Sequence, residues 1–191
     1  MALGRCTSGT PMIEIQQQQL DLDRTIFIDK DLIEEYDKIR AAYFSLIKRD
    51  PHLFINLVIT SEGGPSTSWT SFGRFIRAFT STPLRTICTV KAYSAGSLIF
   101  MFGKERWMAN DSALFLHNGN KRVESTWGAK TFRDLADELE FSDHCYRMTF
   151  LDAPGIDPQK MNYAVLKKLM DEESTITAQQ ALELTLATRI I

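Results

Sequence analysis

The sequence predicts a single α/β domain in which strands alternate with helices through crossover connections. Three observations predict it. Four short β-prone or apolar runs recur in the first 120 residues. Between them lie segments whose apolar residues repeat at helical spacing. The longest run closes on Gly63-Gly64-Pro65, a strong breaker. A length of 191 residues fits one domain with a sizeable core and is short for two.

The elements read in order as follows. Thr25-Ile26-Phe27-Ile28 is the first β-prone run. Asp31 then offers an N-cap, and Leu32, Tyr36, Ile39, Tyr43 and Ile47 recur at helical spacing. Residues 53–60, LFINLVIT, have the pattern of a strand buried on both faces. Trp69, Phe72, Phe75, Ile76 and Phe79 trace a second amphipathic helix, and residues 86–90 a third strand. A tight turn, Ala92-Tyr93-Ser94-Ala95-Gly96, leads into an uncharged helix through Phe102, and residues 113–116 form a fourth strand.

A longer helix follows over residues 130–150. Phe132, Leu135, Leu139, Tyr146 and Phe150 give it an apolar stripe, with Phe141 and Met148 off that stripe. Such a helix either buries one face internally and the rest against a neighbour, or packs only on its own domain. Pro154-Gly155 breaks it. Asp157 and Pro158 stand at cap and first-turn positions for another helix. Thr177 and Gln180 form a capping-box pattern opening a last short helix. Residues 1–23 are a short polar segment, with a glutamine run at Gln16 to Gln19, expected to be partly flexible. The folded domain is expected over residues 24–191.

Composition excludes several function classes. Lys plus Arg is 22 and Asp plus Glu is 24, a net charge of −2, which is no footprint for nucleic acid or an anionic membrane. The uncharged stretch 92–103 is twelve residues, against the roughly 18 of a membrane span. No apolar signal region opens the chain. Three cysteines, Cys6, Cys88 and Cys145, point to a reducing, cytoplasmic location and to no disulfide framework. No His, Cys or Asp spacing fits a metal, and no phosphate or dinucleotide loop appears, so no cofactor is expected.

Three features at strand ends are in position for chemistry. Ser94 sits on a strand-to-helix turn among small neighbours, with the Ala95 amide at a helix N-terminus. It reads either as an ordinary N-cap serine or as a nucleophile with an oxyanion amide beside it. Gly63-Gly64 reads as a plain turn or as a loop whose Gly64 amide supplies a second oxyanion donor. His117 closes the fourth strand and reads as a packing residue or as the base for a serine hydroxyl. His52, in a turn after Pro51, and His144, mid-helix beside Asp143, read as surface or packing residues. The run Asp171-Glu172-Glu173 is a solvated helix end or the source of a carboxylate for His117.

Taken together and in this order, the motifs resemble the proteolytic subunit of the Clp protease. The corresponding stretches are Ile59-Thr60-Ser61-Glu62-Gly63-Gly64, then Ala92-Tyr93-Ser94-Ala95-Gly96-Ser97, then Phe115-Leu116-His117. The tail matches as Glu173-Ser174-Thr175-Ile176-Thr177-Ala178-Gln179-Gln180-Ala181, and Arg24-Thr25-Ile26-Phe27-Ile28 is similar to the family's opening strand. The resemblance implies a ClpP/crotonase-like spiral of ββα units, with a protruding handle strand and helix over about residues 119–151. It implies Ser94 as nucleophile, His117 as general base, Glu173 as triad acid, and the amides of Gly64 and Ala95 as oxyanion hole. It also implies a polypeptide substrate, a homo-oligomeric chamber of stacked heptameric rings, and an AAA+ Clp unfoldase as partner.

Departures from the pattern are specific. Glu173 is one methylene longer than the family's aspartate, and Asp171 is a possible substitute. Tyr93 replaces a small residue beside the nucleophile, Glu62 and Pro65 alter the glycine loop, and Gln180, Thr185 and Thr188 replace a Glu, a Gly and an Asp. The segment before Arg24 is shorter than the family's axial loop and first helix, which bears on unfoldase docking. The expected activity is a serine endopeptidase acting through an acyl-enzyme. The alternatives are a catalytically weak or inactive subunit with an assembly role, and a crotonase-type acyl-CoA enzyme. A narrower variant is a Ser-Lys peptidase using Lys91, which lies three residues before Ser94 on the same strand end.

Overall fold

The structure is a computed structural model that describes residues 20–29, 32–120 and 128–191, the side chains of residues 33 and 34 excepted. Its centre is built from the apolar run read above. Strand β2 (Ile55–Ser61) buries Ile55, Leu57 and Ile59 on one face and Asn56 and Ser61 as well. Strand β1 (Thr25–Ile28) pairs with it in parallel, Thr25 opposite Asn56. Helix α1 (Leu32–Arg49) covers them with Leu32, Ile39 and Tyr43. β2 starts two residues later than its hydrophobicity suggests, because Leu53 is 52% exposed in the turn after Pro51.

Helix α2 (Ser66–Phe79) packs Trp69, Phe72 and Ile76 inward. Phe75 and Phe79 lie off that face and are exposed. Strand β3 (Leu84–Tyr93) is ten residues long, and it forks the sheet. Its first half pairs in parallel with β4 (Glu105–Met108) and its second half with β5 (Ala113–Leu116). Helix α3 (Ala95–Phe100) leaves the end of β3 and is wholly buried. β5 carries β6 (Ser174–Thr177) antiparallel on its other edge, and β4 carries the two-residue β7 (Arg189–Ile190).

Helix α4 (Ala129–Leu151) buries Tyr146, Arg147, Thr149 and Phe150, all in its last two turns. Phe132 and Phe141, in its earlier turns, are exposed. Helix α5 (Tyr163–Asp171) begins at Asn162, whose side-chain oxygen accepts from the Ala164 and Val165 amides, both at 3.1 Å. The expected cap at Asp157 and Pro158 is corrected here. The Asp157 carboxylate accepts the Gln159 amide at 2.9 Å and its carbonyl accepts the Lys160 and Met161 amides, which closes a turn that does not propagate. Helix α6 (Ala178–Glu183) opens on the Thr177–Gln180 capping box as read. Of the N-terminal segment 1–23, residues 20–23 alone are described. The Asp31 cap, Cys6 and residues 121–127, part of the stretch 119–151 where the handle strand and helix are expected, lie outside the described residues.

Buried arginines join the helix ends to the sheet. Helix C-termini leave carbonyls without partners. Arg24, 4% exposed, donates to Leu46 and Asp50 at the end of α1 and to Leu53 and Phe54 before β2. Arg106, fully buried on β4, donates to the carbonyls of Gly103, Pro154, Thr185 and Leu186 at 2.6–3.0 Å. Burial, and then the neighbouring Arg77, push its pKa down to about 10. Arg106→Met leaves those carbonyls unpaired. It is expected to lower unfolding free energy by about 3–5 kcal/mol, read as a fall in the urea midpoint at unchanged m-value.

Candidate active site

The site begins where β2 runs out. The Ser61 hydroxyl accepts the Gly63 N–H at 3.1 Å, and the Gly63 carbonyl accepts from the Leu32 amide at 3.3 Å. Gly63 has φ 111°, a conformation that favours glycine. A Cβ there would lie 2.7 Å from Ser94 Cβ, 2.8 Å from the Tyr93 carbonyl and 3.3 Å from the Ala95 nitrogen. The glycine loop is therefore packed directly against the serine turn.

Ser94 occupies the N-cap position of α3, but its hydroxyl caps nothing. Its backbone is at φ 52°, ψ −122°, a region that costs a non-glycine residue about 1–3 kcal/mol. Hydrogen bonds at its amide and its carbonyl hold it there, among them a long one of 3.4 Å from the Leu98 amide to the carbonyl. The Ser94 N–H donates to the Phe115 carbonyl at 2.9 Å. The Ser94 carbonyl accepts from the Ser97 amide at 3.0 Å, the Ser97 hydroxyl at 2.6 Å and the Tyr146 hydroxyl at 3.2 Å. Tyr146 is buried on α4, and burial raises its phenol pKa. Among the described residues the Ser94 hydroxyl makes no hydrogen bond, and the Gly64 and Ala95 amides donate none.

His117 follows β5. Because Tyr93 pairs with Phe115 in a parallel ladder, Ser94 and His117 leave adjoining strand ends. The imidazole stacks on Phe115 at 5.5 Å, and Phe115 in turn meets Tyr93 at 5.6 Å. His117 Nδ1 lies 2.6 Å from the Asn118 carbonyl. Leu116 pairs with Ser174, so Glu173 enters opposite His117 one step beyond the β5–β6 ladder, with φ 49°. The Glu173 carboxylate is exposed and makes no hydrogen bond or ion pair among the described residues. Asp171 is engaged elsewhere, accepting from Lys167 at 2.6 Å and from the Asn118 amide at 2.8 Å. The Lys167 ammonium, and then Asn118, hold its carboxyl below the usual range.

The structure thus brings Ser94, Gly63, Gly64, Ala95 and His117 to one end of the sheet. It sets Glu173 across from the histidine without a contact between the two side chains. Lys91 is paired with Glu62 on the preceding stretch of β3. His52 and His144 are exposed, His144 with its Nδ1 3.4 Å from the Tyr163 hydroxyl. No metal-binding group of three or more His, Cys, Asp or Glu occurs among the described residues. Sequence reading missed Ser97, Asn118, Asp143 and Tyr146. Tyr146 read as part of an apolar stripe, and its hydroxyl gave no signal that it reaches a residue 52 positions back.

Gly63→Ala tests the packing of loop on turn. The strained φ and the blocked Cβ together are expected to cost about 2 kcal/mol or more, seen as a lowered thermal midpoint. Gly128→Ala, where nothing lies within 4 Å of the added carbon, is the control and is expected to lower the midpoint far less, by the loss of a glycine N-cap on α4 alone.

A family model described as Clp protease matches residues 9–191. The match takes in the glycine loop, the serine turn, the strand-end histidine, α4 and the tail, and starts upstream of the resemblance read from Arg24 onward. The mixed sheet with its flanking helices agrees with the ClpP/crotonase-like fold of that family. On a match that leaves out only the first eight residues, the chain belongs to the Clp protease family.

Proposed function

We propose that this protein is a serine endopeptidase subunit that hydrolyses peptide bonds of unfolded polypeptides through an acyl-enzyme. Family membership supports serine peptidase chemistry in general terms. The observation that carries the specific reading is the unbonded Ser94 hydroxyl, held on a turn of positive φ beside two undonated amides. An N-cap serine would use its hydroxyl to cap, and Ser94 does not.

In this mechanism Ser94 Oγ attacks the peptide carbonyl carbon while His117 Nε2 takes the hydroxyl proton. The carbonyl oxygen becomes an oxyanion that accepts from the Gly64 and Ala95 amides. The C–N bond then breaks, and His117 passes its proton to the departing amine. Water attacks the Ser94 ester with His117 again as base, releasing the acid and restoring the serine. Glu173, across from His117, supplies negative potential to the imidazolium.

The exposed early turns of α4, with Phe132 and Phe141, support assembly with further copies in the ring architecture of the family. An AAA+ Clp unfoldase is the corresponding partner. Among the described residues no helix is long and apolar enough to cross a membrane. The reading assigns the protein to the cytoplasm. A second reading, an assembly subunit with weak catalysis, draws on the His117 Nδ1 contact with Asn118 in place of a carboxylate.

A fluorophosphonate probe distinguishes the two. Wild type is expected to be labelled at Ser94, and Ser94→Ala is expected to take no label. Hydrolysis of an unfolded protein substrate is expected to fall about a thousandfold or more in Ser94→Ala and in His117→Ala. Folded wild type that takes no label and cleaves no unfolded chain would refute the peptidase reading and leave the assembly role.

A further inference from the structure

We propose that Asp143 and Asn118 are positioning residues that set the tautomer of His117 through the peptide unit joining Asn118 to Gly119. The inference rests on the reading of His117 as the base, and it concerns how that base is prepared.

A carbonyl oxygen only accepts hydrogen bonds. His117 Nδ1, 2.6 Å from the Asn118 carbonyl, must therefore carry a hydrogen, which leaves Nε2 as the acceptor in the neutral ring. That is the tautomer a serine hydroxyl needs from its base. The other end of the same peptide unit is held as well. The Gly119 N–H donates to Asp143 Oδ1 on α4 at 2.8 Å. A carboxylate thus bonds the amide whose carbonyl holds the imidazole. Polarisation along such a chain strengthens both bonds.

The Asn118 side chain fixes the plane of this peptide. Its Oδ1 accepts from Arg147 Nη1 at 3.0 Å, and its Nδ2 donates to Asp171 Oδ1 at 2.8 Å. Arg147 is 7% exposed and is itself held by the Tyr163 hydroxyl at 3.2 Å, so one jaw of the clamp belongs to the buried end of α4. Gly119 is close-fitting: a Cβ there would lie 3.1 Å from Asp143 Oδ1. The charge that orients the histidine comes from α4, and among the described residues no carboxylate touches the ring.

Long-range ¹H–¹⁵N spectra of His117, recorded where the ring is neutral, read the tautomer without reference to activity. Wild type is expected to carry its proton on Nδ1. Asp143→Ala and Asn118→Ala are expected to move the population toward the Nε2–H form. Both are expected to lower kcat about tenfold to a hundredfold with KM little changed. Asp143→Asn, which keeps a side-chain carbonyl for the Gly119 amide, is expected to recover most of the wild-type tautomer and guards against loss of fold. Glu173→Gln is expected to leave the proton on Nδ1. A wild-type proton on Nε2, an unchanged tautomer in folded Asp143→Ala, or a switch in Glu173→Gln would overturn the proposal. A wild-type Nδ1–H that shifts in Asp143→Ala supports it even in a protein that takes no fluorophosphonate, where the peptidase reading alone fails.

Discussion

The hydrogen bond from the Ser94 amide to the Phe115 carbonyl, 2.9 Å long, is the contact on which the rest of the site depends. It is the last rung between β3 and β5, and it fixes the serine at the point where β3 has already turned away from β4. Without it nothing on the strand side would oppose relaxation of the positive φ. With it, the turn is held from both sides: by the sheet at the amide, and by Ser97 and Tyr146 at the carbonyl. The strain of about 1–3 kcal/mol is offset by several bonds worth about 1 kcal/mol each. The same ladder brings His117 alongside, so Ser94 and His117 share a single register.

The handle helix enters this arrangement twice, and both contacts come from its inner end. Tyr146 reaches the Ser94 carbonyl, and Asp143 reaches the peptide after the histidine. The outer turns of α4 are exposed while these inner turns are anchored. Arg77 adds to the anchoring, donating to the Thr149 and Met101 carbonyls at the ends of α4 and α3. Arg24 likewise bonds carbonyls at the end of α1, and Arg106 bonds carbonyls in the connections that follow α3, α4 and α6. A shift of the outer helix that propagated inward would act on the serine and the histidine together.

Much of this was legible in the sequence, and the parts that were not share a cause. β1, β5 and the Thr177–Gln180 box are local patterns, and the structure bears them out residue for residue. The order of glycine loop, serine turn and strand-end histidine was equally plain. Strand β4 was hidden because it opens on Glu105 and Arg106, whose charges are absorbed by Arg85 and by four carbonyls contributed from other parts of the chain. Asn118 and Asp143 were silent for the same reason. Their roles are set by partners 24 to 53 positions away, and no periodicity marks such bonds.

The central claim is that one end of the sheet presents an attacking hydroxyl, two oxyanion donors and a base in mutual register. A crystal structure of the fluorophosphonate adduct measures that directly. The account predicts phosphorus bonded to Ser94 Oγ, with one phosphoryl oxygen within about 3 Å of both the Gly64 and Ala95 nitrogens and His117 Nε2 facing Oγ. A phosphoryl oxygen turned away from those amides, or phosphorus on another residue, would contradict it.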